Sequence, residues 1–218
     1  LSLSKKRLLN KIKVCWNMGL CDYGKYSHIK QKLFSITKSN IFINNGKSFT
    51  NIDNQRKKDV SCRIGSSYNR KTVEFQRKKI EFLLKQYTDT EKISRFKYLD
   101  EIKESKFVIS PFGWGELCPR DFETFINGSL LIKPNMDYFD TWPNWYIANK
   151  NLSEKSPSTY LSFKWDLSNL ENIIQSAIKK YDDLKYIAKQ GQKTYMLYTN
   201  GENSKIMFAE RFLKLIKN

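Results

Sequence analysis

Two glycines, an arginine and a glutamate within residues 105–136 have the types and spacing that suit a phosphorylated ligand. Gly113 and Gly115 lack a Cβ atom, so the backbone of their loop can approach a ligand closely. Arg120 offers a planar fork of N–H donors that matches a phosphate group. Glu123, one helical turn later, can accept hydrogen bonds from two ribose hydroxyls, as acidic residues do in dinucleotide sites. The alternative is an Arg120–Glu123 ion pair on a helix surface.

The elements around these residues form a β-loop-α-β unit. An apolar strand is predicted at 106–110, a helix from Pro119 to Asn127-Gly128, and a second strand at 129–133. Pro119 suits a first helical turn, where its missing N–H would have had no partner in any case. The helix N-terminus adds free N–H groups and a partial positive charge beside the loop. Because ligands of open α/β sheets bind at the carboxyl ends of the strands, the sequence predicts an anion site there.

Three further residues near this unit have two interpretations each. Lys133 closes the second strand, where its ammonium group faces either phosphate or solvent. Trp142 and Trp145 are able to stack on a base or a sugar, but core packing is the favoured interpretation for both.

The pattern of the whole chain predicts an α/β fold, a Rossmann-like parallel sheet with helices on both faces. Strands are also predicted at 12–16, 59–64 and 159–163, and helices at 28–36, 71–87, 94–104, 169–180, 183–198 and 202–217. Residues 40–58 are predicted to be loop or linker, and residues 137–157 to be irregular. We divide the chain into a basic N-terminal segment, 1–58, and a nucleotide-binding domain, 59–218, with Ser168 and Asp182 as predicted helix caps.

The stretch 97–134 resembles the donor-nucleotide half of GT-B glycosyltransferases, in the branch of exostosin-like, spore-protein-like and protein O-glucosyltransferase-like enzymes. The matching residues are Tyr98, Ile102, Ser105, Lys106, Phe107, Pro111, Gly113, Arg120, Glu123, Gly128, Ser129 and Ile132. The resemblance is weaker but continuous over 59–218. Many retaining members have seven residues between two glutamates, whereas Glu116 and Glu123 are separated by six, so retention is not carried over.

The resemblance implies transfer of a sugar from a nucleoside-diphosphate sugar to an acceptor hydroxyl. The implied acceptor is a glycan, a lipid-linked sugar or a protein, and the implied role is glycan or surface polysaccharide synthesis. Arg63, beside Gly65, would approach the leaving diphosphate, with Arg70 a further helper. Asp22 and His28 lie in the N-terminal segment, on the side where an acceptor base would belong, although a lone histidine is more often structural. The candidate catalytic residues are Arg120, Glu116 and Arg63, and the candidate ligand-binding residues are Gly113, Trp114, Gly115, Arg120, Asp121, Glu123 and Lys133.

Further expectations concern cofactors and chain length. No tightly bound cofactor is expected, and the lack of an Asp-x-Asp motif agrees with metal independence. The chain is about half the length of a GT-B enzyme, so the acceptor domain would be missing or supplied elsewhere.

The net charge of +17 calls for an anionic partner, and residues 1–58 hold thirteen Lys or Arg but two acidic residues. The runner-up function is therefore a basic nucleic-acid- or membrane-binding protein on a degenerate Rossmann-like scaffold. A third is an inactive GT-B half that serves as a partner subunit. No specific nucleic-acid motif, zinc spacing or membrane span is evident, so we expect a cytoplasmic protein whose basic segment contacts an anionic membrane peripherally.

Overall fold

The protein contains a five-stranded, all-parallel sheet. The computed structural model describes residues 49–113, 115–149, 152–153, 155–199 and 201–217. The strands are β1 Lys58–Ser61, β2 Ser105–Ile109, β3 Leu130–Pro134, β4 Ala148–Asn149 and β5 Tyr160–Phe163. The helices of the described residues are α1 Lys71–Leu84, α2 Arg95–Glu104, α3 Pro119–Ile126, α4 Leu170–Lys179, α5 Tyr181–Thr199 and α6 Gly201–Lys217. The strand order is β1-β2-β3-β5-β4, and every pairing is parallel. The α/β, Rossmann-like prediction is therefore confirmed.

Apolar clusters cover both faces of the sheet. In β3, Leu130 and Ile132 belong to the cluster under α1 and α4, and Leu131 belongs to the cluster under α3. Successive strand residues point to opposite faces, so a strand covered on both sides is apolar throughout. Helix α5 joins the two clusters, since Leu184 packs in the first and Tyr195 in the second.

The predicted elements recur with small changes at their ends. Asn169, not Ser168, is the N-cap residue of α4, and α5 begins one residue before Asp182. The irregular stretch 137–157 contains the short strand β4, which pairs with the edge of β5. Two residues carry no periodicity, so the sequence gives no signal for this strand. The elements predicted at 12–16 and 28–36 lie outside the described residues.

Arg56 joins the chain before β1 to the rest of the domain. Its guanidinium is 6% exposed and donates to the carbonyl oxygens of Lys103, Asn127 and Gly128 at 2.8, 2.9 and 2.7 Å, and to Ser129 Oγ at 3.0 Å. These carbonyls lie at the C-terminal ends of α2 and α3, where the helix dipole favours a cation. The described part of the predicted linker, 49–57, is thus bound to the sheet domain by buried contacts.

Gly128 makes this contact possible. Its φ is +66°, a conformation that glycine adopts without steric cost and that commonly ends a helix. A Cβ atom there would lie 3.1 Å from Arg56 Nη2 and 3.1 Å from the Thr50 carbonyl oxygen. None of the helices in the described residues is both long and apolar enough to cross a membrane.

Candidate functional site: a cationic pocket at the carboxyl edge of the sheet

A pocket of about 450 Å³ opens at the carboxyl edge of the sheet, between the loops that follow β1 and β2. Its volume lies in the range typical of small-molecule sites. Its walls hold five cationic side chains and one carboxylate: Arg63, Arg77, Lys92, Arg95, Arg120 and Glu123. Such an excess of positive charge in a concave site favours an anionic ligand.

The loop after β2 is held in place by the start of α3. Asp121 accepts a hydrogen bond from the Cys118 backbone N–H at 3.2 Å, which completes a capping box. The Gly113 N–H donates to the Gly115 carbonyl oxygen at 3.1 Å. A Cβ atom on Gly113 would lie 3.4 Å from Arg77 Nη2 and would fill the space beside that guanidinium. The glycine therefore keeps the arginine accessible from the pocket.

Two of the pocket arginines are neutralised by carboxylates. Arg63 donates to Glu101 through Nε at 3.0 Å and Nη2 at 2.7 Å, and Arg95 Nη1 lies 2.8 Å from Glu123 Oε1. Burial raises the pKa of Glu101, but hydrogen bonds from Arg63, Ser61 and Lys58 outweigh it, so the net pKa is lowered. Arg63 reaches the predicted site but is already engaged there.

Arg77 is buried without a carboxylate partner among the described residues. It is 6% exposed, and it donates to the carbonyl oxygens of Phe112 and Gly65, both at 3.0 Å. Its guanidinium lies 4.5 Å from the centre of the Tyr68 ring. Burial lowers the pKa of Arg77, and the nearby charge of Arg120 acts in the same direction.

Arg120, like Arg77, forms no ion pair with a carboxylate in the described part of the chain. Its Nη2 donates to the Arg63 carbonyl oxygen at 2.5 Å, and its buried Nε has no hydrogen-bond partner among the residues described. Tyr98 lines the same pocket, beside Arg120 and Glu123. Burial, the larger cause, and the Glu123 charge raise the pKa of Tyr98 well above its usual range. Arg120 and Glu123 thus face one pocket, but Glu123 forms its ion pair with Arg95.

Arg77 and Arg120 line one pocket, and the charge of each disfavours the other. Buried charges in proteins are normally paired, because an isolated charge loses its hydration. These two guanidiniums repel each other, and the described residues offer neither an ion-paired carboxylate. An anionic group between them would relieve both the repulsion and the lost hydration.

Asp121 and Lys133 differ from their predicted role as ligand contacts. Both side chains are 0% exposed, and Lys133 Nζ lies 3.1 Å from Asp121 Oδ2. Tyr146 donates its hydroxyl to the same oxygen at 2.6 Å. The strand β3 continues to Pro134, so Lys133 lies inside the sheet layer, 5.3 Å from the centre of the Phe112 ring. The Asp121–Lys133 ion pair thus stabilises the end of the loop after β2 through Cys118, and neither side chain lines the pocket.

The other predicted residues are distributed around the site. Gly113 lines the pocket, and Gly115 and Glu116 are half-buried in the loop. Arg70 is exposed at the start of α1. Trp114, Asp22 and His28 lie outside the described residues.

The two tryptophans near residue 145 are packing residues in this structure. Trp145 is fully buried against Phe122 and Tyr195, with ring centres 5.5 and 5.7 Å apart, which confirms the packing interpretation. Trp142 contacts the Tyr198 ring and lies 5.3 Å below the Arg211 guanidinium.

Arg77 is a site residue that the sequence interpretation missed. Phe75 of α1 is apolar, but its ring is 70% exposed. The buried face consists of Arg77, Ile80 and Leu84, which are spaced three and four apart as neighbours on one helix face are. An arginine that shares a helix face with two core residues is the sequence signal for a buried guanidinium.

No protein-family model matches this chain, and no curated protein matches it significantly.

Proposed function

We propose that this chain is a glycosyltransferase domain that binds a nucleoside-diphosphate sugar. The observation that carries the proposal is the pair of pocket arginines, buried Arg77 and half-buried Arg120, neither of which forms an ion pair with a carboxylate among the described residues. A diphosphate supplies the missing negative charge, and each guanidinium offers N–H donors to its oxygens. The pocket location at the carboxyl edge of a parallel sheet supports a nucleotide ligand.

Glu123 provides the proposed contact to ribose. Its carboxylate lines the same pocket, is 3% exposed, and is oriented by Arg95. A carboxylate has about four acceptor positions, so this protein donor leaves room for two ribose hydroxyls. The proposed ligand thus has its diphosphate at the arginines and its ribose at Glu123.

The proposed reaction breaks the bond between the anomeric carbon of the sugar and the diphosphate oxygen. A new bond forms to the oxygen of the acceptor hydroxyl, and a base takes its proton. Negative charge builds on the departing diphosphate, where Arg77, Arg120 and the N-terminus of α3 would stabilise it. Donors that are fixed before the reaction need no rearrangement as this charge develops. These cations support the proposal that transfer is metal-independent.

The alternative, a nucleic-acid- or membrane-binding protein, draws its support from the net charge of +17. A polyanion such as nucleic acid is bound through charges spread along an open surface. Arg77 and Arg120 instead lie within a pocket of small-molecule size, which favours a small phosphorylated ligand.

A thermal-shift panel tests the proposal. We expect UDP, GDP or ADP to raise the melting temperature in a saturable way, because a ligand of the folded state stabilises it by mass action. CMP, with a single phosphate, is the control and should give a much smaller shift. A random oligonucleotide should bind weakly, with affinity that falls steeply as salt increases. If no diphosphate shifts the melting temperature while the oligonucleotide binds tightly, the alternative function replaces this one.

Replacement of Glu123 distinguishes a ribose contact from a residue that only orients the arginines. We expect Glu123→Gln to weaken nucleoside-diphosphate binding by about tenfold or more, the scale of a charge-assisted hydrogen bond, and pyrophosphate binding far less. Pyrophosphate has no hydroxyl groups to lose. Isothermal titration calorimetry measures both affinities, with the exposed Glu104→Gln as the matched control. Equal losses for the two ligands would refute the ribose contact but leave the phosphate site intact.

A further inference from the structure

Two exposed aromatic rings form a platform at the same edge of the sheet. Tyr138 follows β3 and Trp165 follows β5, and the two side chains are 50% and 51% exposed. Their ring centres are 4.6 Å apart, and the rings meet edge to face at 71°. We call this pair the Tyr138–Trp165 platform. Exposed large apolar groups that adjoin one another are typical of binding surfaces.

The platform is a fixed surface that adjoins the cationic pocket. Trp165 Nε1 donates to the Asn135 carbonyl oxygen at 2.9 Å, which fixes the orientation of the indole. Its ring also contacts the Phe112 ring edge to face, at 5.7 Å and 88°. Phe112 immediately precedes Gly113 of the pocket, and its carbonyl oxygen accepts from Arg77. A ligand on the platform would therefore lie close to one in the pocket.

Polar groups surround the platform in a cavity of about 430 Å³. The side-chain oxygens of Asn135 and Asn169 accept from the backbone N–H groups of Asp137 and Lys164, at 3.0 and 2.8 Å. These bonds orient both amides, and their NH₂ groups have no hydrogen-bond partner among the described residues. The cavity thus combines aromatic rings with fixed N–H donors.

We propose that the Tyr138–Trp165 platform binds a sugar ring of the acceptor, so the acceptor is a carbohydrate. The C–H groups on one face of a pyranose pack against an aromatic ring, and its hydroxyl oxygens accept from amide N–H groups. The role as acceptor site rests on the proposed function, whereas carbohydrate binding itself does not.

A nucleobase is the other flat ligand that an aromatic pair accepts. The proposed ribose contact, Glu123, lies in the cationic pocket, and no lining residue is shared between that pocket and the platform cavity. The base would follow the ribose into the cationic pocket, where Tyr98 and Ile93 also line the wall. This arrangement leaves the platform for a different ligand.

Glu116 places a carboxylate near the platform. Burial, the larger cause, and the Glu116 charge both raise the pKa of Tyr138. A carboxylate in this position can accept hydrogen bonds from sugar hydroxyls. Glu116 belongs to the loop after β2, whose Gly113 and Cys118 line the cationic pocket and whose Phe112 contacts Trp165.

A glycan array tests the proposal with the full chain. The array presents common hexoses, hexosamines, deoxyhexoses and uronic acids, and binding is confirmed by titration with the soluble glycan. We expect a defined subset to bind and Trp165→Ala to weaken that binding by about tenfold or more, the scale of one stacking contact. Phe82→Ala removes an aromatic ring that is 79% exposed on α1 and should leave the affinity unchanged.

The outcomes separate this proposal from the proposed function. Glycan binding that depends on Trp165, together with no binding of nucleoside diphosphates, would support the platform and refute the transferase. Two results would overturn the platform: no glycan bound, or equal glycan affinity for Trp165→Ala and the unsubstituted protein. A loss of UDP affinity in Trp165→Ala with no glycan effect would assign the platform to the base and also overturn it.

Discussion

Asp121→Ala is expected to lower the free energy of unfolding by about 3–5 kcal/mol, the usual cost of breaking a buried ion pair. Lys133, which is 0% exposed, would keep its charge without a counter-ion. The Tyr146 hydroxyl and the Cys118 N–H would also lose the acceptor that they share at 2.6 and 3.2 Å. Urea denaturation followed by circular dichroism measures the change as a lower midpoint with an unchanged slope.

The matched controls separate lost charge from lost shape. Asp140→Ala removes an exposed carboxylate and should change the free energy of unfolding little. The double substitution Asp121→Asn with Lys133→Met removes both charges and keeps similar volumes. It should recover much of the stability, because an uncharged pair leaves no isolated ion in the core. If Asp121→Ala instead leaves the midpoint unchanged and abolishes nucleotide binding, Asp121 contacts the ligand as the sequence suggested.

The sequence predicts the strands and helices of this domain well because their signals are local. The apolar run from Leu130 to Ile132 indicates a buried parallel strand, and the pairing of Phe107 with Leu130 confirms that β2 and β3 adjoin. The Pro/Gly loop after β2 is likewise a local signal, and it predicts that a ligand would bind at this edge of the sheet. Helix and strand periodicity needs no knowledge of distant residues.

Contacts between distant residues account for what the sequence does not predict. From the sequence, Lys133 faces either phosphate or solvent, but Tyr146 and Phe112 from other segments cover it in the core. Among the described residues Arg120 forms no ion pair with a carboxylate, because Glu123 pairs with Arg95 of α2. No short motif encodes such a choice of partner. The residue types of a site are therefore predictable here, but their pairing is not.

The platform was missed for a related reason. The sequence draws attention to Trp142 and Trp145, which lie close together in an aromatic stretch, but Trp145 is fully buried. Trp165 stands alone, two residues after the buried Phe163 at the end of β5. Its exposure depends on its lying at the carboxyl edge, where the strand ends and the core no longer covers the side chain.

Replacement of both Arg77 and Arg120 by alanine is expected to weaken nucleoside-diphosphate binding by roughly 100- to 10,000-fold. Each arginine would contribute about 1.5–3 kcal/mol, the range for hydrogen bonds to charged groups, and about 1.4 kcal/mol corresponds to tenfold in affinity. Each single substitution should therefore cost about 10- to 100-fold. Isothermal titration calorimetry with UDP, GDP and ADP measures these changes on variants whose folding is checked by circular dichroism.

The controls test whether the loss of nucleoside-diphosphate affinity depends on the position of the removed charges or only on the net charge of the protein. Lys78→Ala with Lys97→Ala also removes two positive charges from α1 and α2, but from exposed side chains outside the pocket. This variant should bind almost normally, since exposed charges are screened at physiological salt. Arg63→Ala should cost less than Arg77→Ala, because Glu101 already neutralises Arg63. Equal losses for the pocket pair and the exposed pair would mean that binding follows net charge, and the two arginines would not form a phosphate site. A selective loss in the pocket pair would locate the diphosphate between two guanidiniums that have no ion-paired carboxylate among the described residues.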